Sequence, residues 1–202
     1  MLAVAGGKGG SGKTTTALGL ASALVERRRR PLVVDCDLDA PNLHLRAGVP
    51  RDPDVDAANP TATAHESTTV PGVDVLPVGD ADEDDLATTL DALPESRPTI
   101  LDCPAGASEA AVRPLRAADS CVVVATDSRE GIEDAVKTAA MARAVGTPVR
   151  AVGVTRAVAV PTGLADATAA DAVPIPDAIA PLEAPETAAA YATLAGYVEP
   201  NT

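Results

Sequence analysis

Gly6-Gly7-Lys8-Gly9-Gly10-Ser11-Gly12-Lys13-Thr14-Thr15 is the stretch that decides the fold class of this chain. From Gly7 to Thr14 it satisfies G-x-x-x-x-G-K-[ST], a pattern whose glycines let the backbone curl so that its N–H groups converge on phosphate oxygens. The Lys13 ammonium then neutralises the β and γ phosphates, and the Thr14 hydroxyl ligates magnesium. Only three lysines occur against thirteen arginines, and two of the three stand in this run. A chain that otherwise writes its positive charge as Arg keeps Lys where a compact point charge is needed, because a planar guanidinium fork does not replace it.

The flanks follow the order such a loop requires. Leu2 to Ala5 is a short apolar run fit for a buried strand, and Thr14 to Val25 carries apolar residues at helical spacing. The loop therefore joins a strand to a helix N-terminus, where the dipole favours an anion. Further strands are expected at Pro31–Asp35, Val73–Val78, Pro98–Asp102, Cys121–Ala125 and Val149–Val154. Helices are expected over Asp80–Leu93 and Gly131–Ala144, with Tyr191–Val198 in a last one. Strands alternating with helices predict an α/β fold, a doubly wound and mostly parallel sheet flanked by helices, in one domain over residues 1–202. Two stretches resist assignment: Arg51–Thr69, read as an exposed excursion, and the Ala-rich Ala157–Val173.

Composition bounds the rest. The 202 residues are 46% hydrophobic with no Phe or Trp and only Tyr191 and Tyr197, so Val, Leu, Ile and Ala must fill the core. Net charge is −13, carried mainly by Asp. Asp over Glu, Arg over Lys, and abundant Ala and Thr resemble proteins from a very salt-rich cytoplasm; a GC-rich genome is the plainer reading of the same bias. Cys36, Cys103 and Cys121 lack C-x-x-C spacing and sit in or beside apolar runs, as small buried hydrophobes do. His44 and His65 have no second His at ligand spacing. With no signal peptide and no apolar stretch of membrane-spanning length, a reduced, soluble, cytoplasmic protein is expected.

Ligands of a parallel α/β sheet gather at the carboxyl ends of its strands, and two strands here end in Asp. Asp35 and Asp102 are thus candidates for a magnesium shell, and Gly106, in Asp102-Cys-Pro-Ala-Gly106, for a backbone that approaches a γ-phosphate.

Lysine at both the start and the end of Lys8-Gly-Gly-Ser-Gly-Lys13-Thr14 resembles the deviant Walker A motif of the MinD/ParA family of P-loop ATPases, the SIMIBI class. Val33-Val34-Asp35-Cys36-Asp37 and Leu101–Gly106 resemble that family's second and third motifs. The likeness runs on, more weakly, through Ala118–Val124 and Gly153-Val-Thr155-Arg156 to Val173–Pro176, and Asp37–His44 resembles MinD-like members. The resemblance implies ATP and Mg²⁺ as cofactors. It implies catalytic roles for Lys8, Lys13 and Asp37: Lys8 reaches a partner's nucleotide across a face-to-face dimer, Lys13 holds phosphate, and Asp37 positions the attacking water. Thr14, Asp35 and Asp102 would hold the metal. Nucleotide contacts would come from Gly7, Lys8, Gly9, Gly10, Ser11, Gly12, Lys13, Thr14, Thr15, Gly106, Thr155, Arg156 and Pro176. Thr155 stands where family members commonly carry Asn near the adenine, which leaves base selectivity open.

The implied activity is slow ATP hydrolysis in an ATP-dependent homodimer, a switch that positions or partitions a cargo and answers to an unidentified activating or cargo protein. Three other classes stay open. A metal or iron–sulfur assembly factor would show paired cysteines, a ligase of the cobyrinate or dethiobiotin type would show a second substrate pocket, and a passive module would bind nucleotide without turnover. No basic amphipathic extension follows the last helix, so no direct membrane anchor is expected. Arg27–Arg30 is the only basic run; placed at a helix end it reads as dipole pairing and a solvated turn, so nucleic-acid binding is not expected. Self-repulsion among the acids is screened at molar salt, where the Debye length is about 3 Å. Melting temperature and activity should therefore rise between low salt and molar KCl, and a flat response would remove the salt-adaptation reading.

Overall fold

The computed structural model describes residues 1–52, 55, 61–106 and 108–198. Its strands are β1 (Leu2–Gly6), β2 (Leu32–Asp35), β3 (His65–Glu66), β4 (Asp74–Leu76), β5 (Thr99–Ala105), β6 (Ser120–Thr126), β7 (Val149–Thr155) and β8 (Asp171–Ile175). The helices are α1 (Lys13–Glu26), α2 (Leu43–Ala47), α3 (Glu83–Ala92), α4 (Glu109–Ala117), α5 (Arg129–Ala144), α6 (Leu164–Thr168) and α7 (Pro185–Val198). One eight-stranded sheet runs in the order β3-β4-β2-β5-β1-β6-β7-β8. Its pairs are parallel except β3 on β4. The expected α/β architecture, a mostly parallel sheet covered by helices, is what forms.

The strands alternate cleanly between two cores, as a period of two requires. Leu2, Val4, Val33, Ile100, Val122, Val124 and Ala151 face the side covered by α1, α2 and α7. Ala3, Ala5, Leu32, Val34, Leu101, Cys103, Val123 and Val152 face α3, α4, α5 and α6. Because both faces are covered, the strands are continuous apolar runs, and this is why they could be read without alternation.

Aromatic poverty shapes the packing. Helix α1 approaches α7 closely because Gly19, inside α1, faces the ring of the buried Tyr191: a Cβ there would lie 2.4 Å from ring carbons. Glycine inside a helix costs about 1 kcal/mol relative to Ala, so its presence marks a contact that tolerates no methyl group.

Five elements go beyond the sequence expectations. Helices α2 and α6 have five residues each, too short to show a period. Helix α4 contains Pro114, a residue that argues against a helix interior. Strand β8 contains Pro174, tolerable because β8 is the last strand of the sheet. The excursion over 51–69 falls partly outside the described residues. Its described end is not simply exposed: His65–Glu66 pair with β4, and the buried Ser67 hydroxyl donates to the Ala47 carbonyl at 2.8 Å.

Gly19→Ala should lower the melting temperature despite its better helix propensity, since overpacking costs about 1–3 kcal/mol. Adding Tyr191→Leu, which clears the space, should cost less in the Gly19→Ala background than alone. An unchanged or higher melting temperature for Gly19→Ala would show that the helices part freely.

Candidate functional site

The loop between β1 and α1 turns at the carboxyl edge of the sheet, with β5 and β6 on either side of β1. Its glycines answer to geometry. Gly12, the N-cap of α1, has φ 96°, and a Cβ on Gly7 would sit 2.2 Å from the Cβ of Asp134 in α5. No side chain caps α1 and no acid stands in its first turn. Four N–H groups of a fourteen-residue helix are thereby left without an intrahelical partner at the rim of an open cavity, the arrangement that receives an anion.

That cavity has a volume of about 910 Å³. Gly9, Gly10, Gly12, Lys13, Thr14 and Thr15 form one wall, Asp37 and Asp102 another, and Thr155, Arg156 and Pro176 a third. These residues converge from the ends of five strands, β1, β2, β5, β7 and β8, whereas Gly7, Lys8, Ser11, Asp35 and Gly106 do not line the cavity. Lys13 is buried and its ammonium donates to the Lys8 carbonyl at 3.5 Å. Lys8 turns the other way, along the outside of the loop, where its Nζ lies 3.1 Å from Glu130 Oε2 at the start of α5. The Thr14 hydroxyl donates to Asn42 Oδ1 at 3.0 Å.

The loop is braced from behind. Thr155 Oγ1 lies 2.7 Å from the Ser11 carbonyl oxygen and 3.1 Å from that of Ala125, while its methyl group faces Gly12. The one proton of that hydroxyl is thus engaged by backbone at the loop. Arg156, in the left-handed region at φ 55°, folds back so that its guanidinium donates to the Gly10 carbonyl at 3.1 Å. On the far side, the Gly106 N–H donates to the Gly6 carbonyl at 3.2 Å.

The two strand-end carboxylates are neighbours, because β2 and β5 pair in the register that sets Asp35 opposite Asp102. Asp35 has both oxygens engaged: Oδ1 accepts from the Asp37 N–H and Oδ2 from the Leu43 N–H, each at 3.1 Å. Burial nevertheless pushes its pKa up to about 6, against the pull of those N–H groups. Asp102 is raised to about 7, first by burial and then by the Asp35 charge, with Thr14 and Lys13 pulling it back. Its Oδ1 is buried without a hydrogen-bond partner among the described residues. An orphaned buried carboxylate oxygen beside the Thr14 hydroxyl is a hard-oxygen donor set that fits a magnesium ion. Asp37 lies on the cavity wall, its Oδ1 accepting from the Ala40 N–H at 3.0 Å.

Sequence reasoning passed over Asn42, Asp134 and Glu130. Asn42 had a signal, since it lies in the Asp37–His44 stretch; the other two are exposed only by the packing of α5 on the loop. The cysteines are free and buried, with burial lifting the Cys121 thiol to about 12 and the other two well above the ordinary range. Among the described residues no group of three or more His, Cys, Asp or Glu side chains is arranged to hold a metal on its own, and no helix is long and apolar enough to cross a membrane.

The raised carboxyl of Asp102 carries a stability consequence. In the unfolded chain Asp ionises near pH 4 and in the fold near 7, so this group's contribution is fully present below about pH 4 and is lost as pH climbs to about 7. Without nucleotide or metal, Asp102→Asn should raise the melting temperature at pH 8 and leave it nearly unchanged at pH 4.5. Each kcal/mol regained is worth about 2–4 °C for a chain of this size; equal shifts at both pH values would contradict the burial argument.

Comparisons with known proteins agree with this geometry. The model of the CobQ/CobB/MinD/ParA nucleotide binding domain matches residues 2–171. An uncharacterized ATP-binding protein of Methanocaldococcus jannaschii is 32% identical over 160 residues, covering 73% of this chain and 61% of its own length. The chromosome partitioning protein ParA of Caulobacter vibrioides is 33% identical over 147 residues, 61% of this chain and 54% of that protein. The chain therefore spans little more than half to three-fifths of the curated relatives it matches. Among solved structures, the cell division ATPase MinD of Pyrococcus furiosus superposes with a TM-score of 0.81 at 25% identity, covering 98% of this chain and 97% of that one. MinD of Pyrococcus horikoshii, solved with Mg-ADP, gives 0.82 at 23% identity over 98% and 95%. With the loop, the strand-end carboxylates and the sheet order all in place, the chain belongs to the CobQ/CobB/MinD/ParA nucleotide-binding family of P-loop proteins.

Proposed function

We propose that this chain is a slow ATPase that binds ATP with Mg²⁺, closes into a face-to-face homodimer and serves as a cytoplasmic switch for positioning or partitioning a cargo, with residues 1–202 as its one nucleotide-binding domain. The observation that carries the reading is the uncapped start of α1 beside buried Lys13, Thr14 and the orphaned oxygen of Asp102, within one cavity of about 910 Å³. The Mg-ADP bound by the Pyrococcus horikoshii relative supports the same ligand here.

Loop N–H groups from Gly7 to Thr15 cradle the phosphates, with Lys13 as the counter-charge. Thr14 and Asp102 would hold magnesium, whose chemistry is to neutralise phosphate charge. Asp35 acts behind them by fixing the Asp37–Leu43 turn through both its oxygens. Asp37 has one oxygen committed to Ala40 and offers the other to a water in line with the γ-phosphate. Phosphoryl transfer asks mainly for positioning and charge neutralisation, and these groups supply both. Arg156 and Pro176 line the part of the cavity suited to ribose and base, while Thr155 holds the loop. Lys8 must leave Glu130 to reach a partner's nucleotide; the pair is largely exposed, and such pairs are worth at most about 1 kcal/mol, so release is cheap.

Light scattering in molar KCl with Mg²⁺ tests the reading, using Asp37→Ala to block turnover. The mass should double with ATP but not with ADP, and Lys8→Ala should abolish the doubling while nucleotide still binds. A mass unchanged by ATP, with nucleotide binding confirmed, would overturn the dimer switch in favour of a ligase or a passive binding module.

A further inference from the structure

A second large hollow lies at the opposite edge of the sheet, where β1, β5, β6 and β7 begin. It has a volume of about 650 Å³ and is floored by Leu2, Leu24, Ile100 and Val198. An adjoining hollow of about 450 Å³ shares Arg29, Ser96, Arg97 and Pro98 with it, so the two form one continuous groove. Arg28, Arg29, Arg30, Arg97 and Arg150 line this groove, against three carboxylates, Asp74, Glu95 and Asp119. On a chain of net charge −13 this is a local reversal of sign.

The carboxylates are mostly spoken for. Asp74 pairs with Arg97 and, at 4.0 Å, with Arg30; Asp119 pairs with the amino terminus. Arg28, Arg29 and Arg150 are exposed and form no ion pair among the described residues. Arg28 and Arg29 follow the C-cap of α1, where the dipole favours a cation, but Arg150 stands on β7, away from any helix end, and Arg27 donates to the Ala192 carbonyl within α7 at 2.9 Å. Beside them Tyr197, one of two aromatic residues in the chain, is 40% exposed, whereas Tyr191 is 3% exposed.

We propose that this groove docks an acidic, amphipathic segment of a partner protein, with carboxylates on Arg29 and Arg150 and an apolar side chain against Leu24 and Tyr197. Charge complementarity selects the sign of the partner, and planar guanidiniums suit carboxylates through paired hydrogen bonds. Arg and Tyr are the residues that most often carry binding energy at interfaces. The apolar floor and the carboxylate rim disfavour a phosphate backbone, which asks for an unbroken basic face, and a concave groove does not lie flat on a lipid surface. This inference goes beyond the nucleotide reading and does not depend on it.

The test uses the full chain and three synthetic peptides of equal length with leucines at the same positions, the intervening residues being Glu, Gln or Lys. A single-stranded thymidine oligonucleotide and phosphatidylglycerol vesicles serve as competitors. By fluorescence anisotropy the Glu peptide should bind, and the Gln peptide about tenfold more weakly, the equivalent of roughly one charge-assisted contact. Arg29→Glu with Arg150→Glu should reverse the preference toward the Lys peptide, and Tyr197→Ser should weaken the Glu and Gln peptides alike. The nucleotide-dependent mass should be unaffected by either change. Equal binding of Glu and Gln peptides, failure of any peptide to bind, or indifference to the charge reversal would each overturn the proposal. So would displacement of the peptide by oligonucleotide or vesicles through the same arginines, or self-association abolished by the reversal. Peptide binding only after shortening the chain to end at Val198 would assign the groove to residues 199–202 instead.

Discussion

Two carboxylates set side by side below a protein surface are the constraint from which the site's layout follows. The β2–β5 register puts Asp35 opposite Asp102, both almost without solvent, and like charges in a poorly hydrated place resist ionising together. The surroundings answer asymmetrically. Asp35 is given two backbone N–H groups and thereby shapes the turn that carries Asp37 and Asn42. Asp102 keeps one oxygen without a partner among the described residues, in a carboxyl group that Thr14 and Lys13 draw toward ionisation. One acid is spent on geometry and the other is held ready for a cation. A site of this kind is least stable when empty at neutral pH, which is the state that nucleotide and metal would relieve.

The second constraint is volume. Without Phe or Trp the two cores are filled by Val, Leu and Ala, so helices lie close to the sheet and to each other. The Gly19–Tyr191 contact shows how little clearance remains. Tight packing of small side chains gives each core many modest contributions and no dominant one, and it transmits displacement because close-packed interiors do not deform continuously. The phosphate loop benefits directly: α5 reaches it through Asp134 against Gly7, and β7 through Thr155 and Arg156.

How far the sequence could be read follows from the range of the forces involved. Strands buried on both faces announce themselves as apolar runs, so β1, β2, β4, β5, β6 and β7 were legible; the loop announces itself through local spacing, and the strand ends put Lys13, Thr14, Asp35 and Asp102 at one edge of the sheet. Single-turn helices such as α2 and α6 have no period to detect. Pro114 hid α4, and a two-residue strand such as β3 exists only through its partner. The bracing of the site was illegible for another reason: Thr155 and Ser11 are 144 residues apart, and Lys8 and Glu130 are 122 apart. Nothing in the spacing of Thr155 announces its contact with the Ser11 carbonyl.

The sheet ends up with two unlike edges. At its carboxyl edge stand the phosphate loop, the acids and a rim with exposed Leu45 and Ile179; at its amino edge stand the arginines and Tyr197. Helix α1 connects them, starting at Lys13 and ending one turn before Arg29. Fourteen residues at 1.5 Å each make it about 20 Å long, more than twice the Debye length of about 8 Å at physiological ionic strength. Charge at one edge is therefore screened from the other through solvent. Coupling between an occupant of the arginine groove and the nucleotide would have to run through packed elements that reach both edges, α1 and the strands β1, β5 and β7. Since Gly19 lets α1 seat tightly on α7, and α7 ends at the groove with Tyr197 and Val198, the path for a mechanical coupling exists in the packing. A partner held there by α7 alone would remain attached in either nucleotide state, and one that shifts α1 would alter the loop.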